Sequence, residues 1–304
     1  MGILKVTLFG GIRVTHSDWQ TEITITRESQ ALLAYLLLQR QRNHSREVLA
    51  DLFWGEHSQQ KARGSLNTAL WKLKKALEPE GIPAGTYLKN SHAGEVGFNK
   101  DSQYWLDVEI FEGGINQILI RPFEAVEESQ LADLNQVLGL YQGDLLEGIY
   151  DNWALRERER LRALYLKSLI YLLQFYSFHK AFEKAIAYGQ QILDLDPLRE
   201  EIHREMMKLY LRNGQRALAV QQYEICRLTL DKELGVAPME DTQRLYTQIL
   251  TGVDESSSVM ISSKQINIEQ AFQQIREASQ SIDLAKEQIQ QALFLITQAS
   301  KQSD

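Results

Sequence analysis

The residues most open to chemistry lie in one run, KARGSLNTALWKLKKALEP, Lys61 to Pro79. Lys and Thr suit phosphate oxygens, while Arg and Asn offer paired groups that match base edges. Turned as a helix at about 100° per residue, the run places Ala62, Leu66, Ala69, Leu70, Leu73 and Leu77 on one face, which must be the core. Opposite lie Gly64, Asn67, Thr68, Trp71, Lys74 and Lys75, with Arg63 at the margin. A tryptophan among lysines on the wet side is the informative residue, because large apolar groups are seldom left exposed without a use. A basic helix back can equally be plain solvated surface, and this face alone leaves the two readings even. In the segment that follows, Lys89 and His92 would reach a phosphate, and Glu95 opposes one.

A second group combines arginines with flat rings: Tyr104, Trp105, Arg121, Trp153, Arg156 and Arg158. Guanidinium groups grip phosphates in pairs and stack on rings. The group therefore suits a nucleotide messenger, for example cyclic di-GMP. Against that, RERERLR also reads as a helix laced with ion pairs one turn apart, the simpler account of any single arginine.

Catalytic chemistry finds no carrier. His16, His44, His57, His92, His179 and His203 lack metal-ligand spacing, and none neighbours a cysteine. FGGI and EGGI are too short to cradle a phosphate, and nothing matches the P-loop pattern. Glu200 and Glu201 open a helix, where carboxylates favour the dipole. A non-enzyme without a cofactor is expected.

The elements that must position these residues follow from periodicity. ILKVTLFGGIRVT and TEITI alternate as strands do, with Gly10 and Gly11 turning between them. RESQALLAYLLLQR predicts a first helix with Leu32, Leu33, Leu36 and Leu37 inward. SREVLADLFW predicts a second, capped by Ser45, ended by Gly55, with Val48, Leu49, Leu52 and Phe53 inward. The Lys61–Pro79 helix is the third, and TYLKNSHAGEVGFN then reads as two short strands around a turn. Strands, three helices and a hairpin are the order of a winged helix-turn-helix. YWLDVEIFEGGI closes that unit.

From about residue 127 the chain predicts helices throughout: ESQLADLNQVLGLYQGDLL, DNWALRERERLRALYLKSLIYLLQFYSF, KAFEKAIAYGQQILDLDP, REEIHREMMKLYLRNGQ and RALAVQQYEICRLTLDKELG. Tyr176 and Tyr210 are 34 apart, as are Ala185 and Ala219, and Pro197 ends one unit. That is the tetratricopeptide period, in which stacked helix pairs bury a shared core and offer a concave face to a partner. Residues 251–265 form a Ser-rich linker. Beyond it Ile268, Ile275, Ile282, Ile289 and Ile296 lie seven apart, with Ala271 to Ala299 offset by three. Five heptads define a coiled-coil strand that needs a partner helix, from a second copy, another protein or its own repeat domain.

The expected fold is mainly α with a small β portion. A winged helix (1–112) is followed by an α-helical tetratricopeptide-like repeat domain (113–250), the linker and an Ile/Ala heptad helix (266–301). The first 100 residues carry 13 Lys and Arg against 9 Asp and Glu, and the remainder 20 against 31. A basic head thus precedes an acidic body, though the head's field is small. One cysteine, Cys226, excludes an internal disulfide. No apolar run approaches the roughly 20 residues that span a bilayer, so a cytoplasmic protein without membrane contact is expected.

In this order the segments resemble the bacterial SARP-type regulators, an OmpR-like winged helix followed by a bacterial transcriptional activation domain. SREVLADLFW, ARGSLNTALWKLKKAL and LDVEIFE carry the likeness in the first part. YQGDLLEG, WALRERERLRALYLKSL and LDLDPLREEIHREMMKLYLRNGQRALAVQQYEICRLTLDKELGVAP carry it in the second. The resemblance implies a regulator that binds promoter DNA with its third helix, while the second domain serves regulation and self-association. It would make Arg63, Asn67, Trp71, Lys74 and Lys75 DNA-facing, and Trp153, Arg160 and Leu161 packing residues. Two features depart from the family: the wing lacks basic residues, and the heptad tail lies outside the pattern.

Overall fold

Leu4, Val6 and Leu8 alternate with polar neighbours, and all three are fully buried in the computed structural model, which describes residues 2–18, 22–91 and 94–251. Strand β1 (Leu4–Thr7) pairs antiparallel with β2 (Arg13–His16), Leu4 opposite His16. Gly10 turns the chain between them at φ +74°, a value open to glycine without strain. The TEITI segment, expected as a strand, forms none among its described residues. Ile23 donates one backbone N–H to Val14 O at 2.8 Å, and the chain then enters a helix.

Three helices follow: α1 (Arg27–Leu38), α2 (Arg46–Trp54) and α3 (Gln59–Leu77). Leu32, Leu33, Leu36 and Leu37 are all fully buried, and Ser45 caps α2 by accepting from the Glu47 amide at 3.2 Å. On α2 the expected inward set is half right. Leu49 is buried and Phe53 half-buried, but Val48 and Leu52 are 57% and 38% exposed. The short α2 rests on its Leu49–Ala50 edge, so the stripe one residue round from it faces out.

Strands β3 (Leu88–Asn90) and β4 (Val96–Phe98) form the antiparallel wing, with Gly94 at φ +77°. β5 (Tyr104–Leu106) returns parallel to β1, giving the order β2-β1-β5. Helix α4 (Asp107–Leu119) starts at once and contains residue 112. The buried Asp107 carboxylate locks this junction, accepting from the amides of Leu8 (2.7 Å), Phe9 (2.9 Å) and Val108 (2.7 Å).

After α5 (Glu128–Leu138) the chain leaves the helical path expected for GLYQGDLL. Leu146 adopts φ +55°, a left-handed conformation that no helix accommodates. Residues 144–147 lie instead along the end of β1: Gly10 N–H donates to Asp144 O, Leu146 N–H to Leu8 O, and Glu147 N–H to Gly10 O, at 2.7–2.8 Å. Helices α6 (Asn152–Phe178), α7 (Phe182–Leu195), α8 (Glu200–Arg212) and α9 (Arg216–Leu234) then stack as antiparallel pairs. Ala185 and Ala219, the 34-residue pair, are both fully buried, and a Cβ at Gly189 would collide with Met206 Sδ. Small residues at these points let the helices close up. The apolar core runs unbroken from β1 to α8.

The chain divides into two compact units, Met1–Met239 and Glu240–Asp304. In the second, helix α10 (Glu240–Thr251) is described. The linker beyond Thr251 and the heptad residues Ile268, Ile275, Ile282, Ile289 and Ile296 lie outside the described residues. Among the described helices none is long and apolar enough to cross a membrane.

Candidate nucleic-acid interface

Helix α3 carries five basic residues, Lys61, Arg63, Lys72, Lys74 and Lys75, and no acidic one. Its buried set is Ala62, Leu66, Ala69, Leu70, Leu73 and Leu77, as the periodicity predicts. Trp71 stands 61% exposed on the far side, with Lys75 Nζ 5.2 Å above its ring. A cation over an indole is mildly attractive and orients the two groups together. Lys75 is exposed and Lys74 half-buried, and neither makes an ion pair among the described residues. The indole and both ammonium groups face outward.

Toward the wing the same helix is tied down. Arg63 forms an ion pair with Glu47 of α2. Asn67 Oδ1 accepts from Arg46 Nη1 at 2.7 Å, and Arg46 Nη2 reaches Asn90 Oδ1 at 3.4 Å. Arg46 therefore bridges α2, α3 and the wing. Its part was not legible in sequence, because nothing local links residues 46, 67 and 90. Thr68 Oγ1 donates to the Gly64 carbonyl one turn back, at 3.0 Å. Lys89 is paired with Asp101 at 2.8 Å, and that bond holds the Asp101 carboxyl below its ordinary range. Such exposed pairs contribute little because water screens them, so a phosphate can displace them. His92 lies outside the described residues, and Glu95 accepts from Ser91 Oγ at 3.5 Å.

Lys61 and Lys72 occupy the opposite flank of α3, facing the start of α1. They are exposed and carry no ion pair among the described residues. A wider arc on the helical wheel would have found both.

The arginine and ring group assembles no common site. Tyr104 packs edge-on against Phe98, and burial beside Glu109 pushes its hydroxyl up to about 12. Trp105 lies under Lys5 Nζ at 4.8 Å. Arg121 is exposed and uses its carbonyl to accept from Tyr171. Trp153 is buried between Tyr35 and Phe53, and Arg156 Nε donates to Asn152 O one turn back. Arg158 turns toward the protein: Nε donates to Leu145 O, and Nη2 to Leu146 O and Ile149 O, at 2.8–2.9 Å. The i,i+4 lattice expected of RERERLR is also not what forms. Arg160 pairs with Glu157 and with Glu112 of α4, and Arg162 donates to Leu195 O. Buried Leu161 packs as the resemblance implies. Burial pushes the Cys226 thiol up to about 12, which makes it unreactive. Among the described residues no cluster of His, Cys, Asp or Glu is placed to hold a metal ion.

A three-helix head with a β-hairpin wing, running directly into stacked helix pairs, defines a winged-helix protein with a tetratricopeptide-like body. Residues 106–250 match the family described as bacterial transcriptional activator domain. Regulatory protein AfsR of Streptomyces coelicolor is 27% identical over 258 residues, 82% of this chain and 24% of AfsR. Transcriptional regulatory protein MoaR1 of Mycobacterium tuberculosis is 24% identical over 234 residues, 74% of this chain and 72% of MoaR1. The chain thus spans about a quarter of the AfsR regulators it matches. A solved structure of Mycobacterium tuberculosis EmbR, in complex with a low-affinity phosphopeptide, shares the fold. Its TM-score is 0.65 at 20% identity, over 85% of this chain and 68% of that one. In architecture and relatives the chain is similar to SARP-type bacterial transcriptional regulators.

Proposed function

We propose that this chain regulates transcription by binding promoter DNA through α3 and the β3–β4 wing, with the helical body serving regulation and self-association. The observation that carries the reading is α3 itself: an exposed Trp71 among five basic and no acidic residues. Asn67 and Arg63 would read base edges once DNA competes for their present partners. Thr68, Lys74, Lys75 and Lys89 would hold phosphates. That AfsR is a regulatory protein and MoaR1 a transcriptional regulatory protein supports the same reading.

The test is DNA binding by fluorescence anisotropy across a salt series. Counterion release gives a log–log slope of about −0.9 per phosphate contact, so Lys74, Lys75 and Lys89 give a slope of roughly −3 for one head and roughly −5 for two. A flat response, or no binding at low salt, would remove the proposal. Self-association rests on the sequence pattern of the tail. Deleting residues 266–304 is expected to lower the mass measured by light scattering, and an unchanged mass would refute the tail's part in it.

A further inference from the structure

Two cavities meet beside the free flank of α3, and Trp54 and Glu28 line both. The larger, about 570 Å³, holds Lys61, Lys72 and His57 together with the hydroxyls of Ser65 and Thr68. The first turn of α1, with Thr26 and Ser29, lines it too, and the N-cap Thr26 makes no side-chain bond to the helix amides. Cations, hydroxyls and open helix amides in one recess are the chemistry that holds a phosphate. The smaller cavity, about 170 Å³, is walled by Trp54 and Phe53 and carries Arg27 and Asp151 at its edge. The Asp151 carboxylate makes no capping bond to α6, and Arg27 spends one Nη2 donor on Gly148 O at 2.6 Å.

We propose that this double recess binds a guanine nucleotide, with the phosphate in the larger cavity and the ring against Trp54 in the smaller. An aromatic slot with one carboxylate and one guanidinium is complementary to guanine. The carboxylate accepts from the adjacent N1–H and N2–H₂ of the base, and the guanidinium donates to O6. Adenine offers a single amino donor in place of that pair and no O6, so it would satisfy neither Asp151 fully nor Arg27. Glu28 is the one carboxylate facing the phosphate compartment. Shared by both cavities, it lies where the sugar joins ring to phosphate, and a carboxylate there accepts from ribose hydroxyls. None of the six residues that the sequence marks for a ring ligand lines either cavity. The recess joins the DNA-facing helix to the start of α6, so its occupancy would link the regulatory body to the head. The inference does not depend on the DNA reading.

Calorimetry on the full chain with guanosine diphosphate, adenosine diphosphate and inorganic phosphate tests it. The guanine nucleotide is expected to bind at least about tenfold tighter than the adenine one. Asp151→Asn, which keeps a competent helix cap, is expected to erase that preference. Lys61→Gln with Lys72→Gln is expected to weaken both nucleotides about tenfold or more, with an unchanged melting temperature confirming the fold. The inference is overturned by equal affinity for the two nucleotides, or by no binding at millimolar concentration. Wild-type affinity in the lysine pair variant would overturn it equally. If that variant loses only DNA affinity while nucleotides give no heat, the two lysines are phosphate contacts for DNA, and the nucleotide site is discarded.

Discussion

Helices α3 and α6 are both rich in basic residues, and they use their cations in opposite ways. On α3 four of five basic side chains make no ion pair among the described residues. In the RERERLR stretch of α6, every arginine donates to a carbonyl or a carboxylate of the protein itself. The difference follows from neighbours. Glutamates interleave the α6 arginines, and a non-helical loop whose carbonyls accept from Arg158 passes beside them. No acid occurs on α3, and the nearest one, Glu47, reaches a single arginine. A cation is available to an external anion when the fold supplies no internal one. Counting arginines does not show this, but locating the acceptors does.

Arg158→Met should break that contrast most severely. It strips the carbonyls of Leu145, Leu146 and Ile149 of their donor while keeping the apolar stem. A loss of about 3 kcal/mol is expected, seen as a melting point lower by roughly 6–12 °C in a chain of this size. An unchanged melting point would mean that α6 does not spend its arginines on the fold. Trp71→Ala reverses the signature. DNA affinity is expected to fall at least about tenfold, while stability moves by less than about 0.5 kcal/mol. A large drop in melting temperature would instead place Trp71 in the core. Lys74→Gln with Lys75→Gln sharpens the account of α3, because losing two phosphate contacts should flatten the salt slope by about 2.

The smallest effect concerns protons. Burial holds His44 and His203 below their ordinary 6.5, so each is harder to protonate in the fold than in the unfolded chain. Stability from them is complete above pH 6.5 and declines as pH falls below it. Each contributes at most about 1.4 kcal/mol per pH unit. Melting curves between pH 7.5 and 5.5 check this, and His203→Gln should shallow the decline.

Much of the architecture was legible because it is written in local periodicity. The six buried residues of α3, the leucines of α1 and the 34-residue alanine pair each repeat at a spacing set by helix geometry. The failures share one cause. GLYQGDLL has helix-forming leucines, yet Leu8 and Gly10, just past the end of β1, capture its backbone. On α2, nine residues give too few turns for the pattern to say which of two adjacent stripes is buried. Arg46 meets Asn67 and Asn90 only because the hairpin pairs with the α1–α2 turn, where Val96 and His44 exchange backbone hydrogen bonds.

The order of residues alone thus settled which faces of α1 and α3 are apolar and which helix carries basic charge without acid. Those properties depend on side-chain type and on the fixed pitch of the backbone. Tertiary packing alone decided which cations stay free, that Arg158 serves a loop, and that Trp54 stands between two recesses. Hydrogen bonds and cavities between distant segments depend on where the chain returns, and no local spacing encodes that.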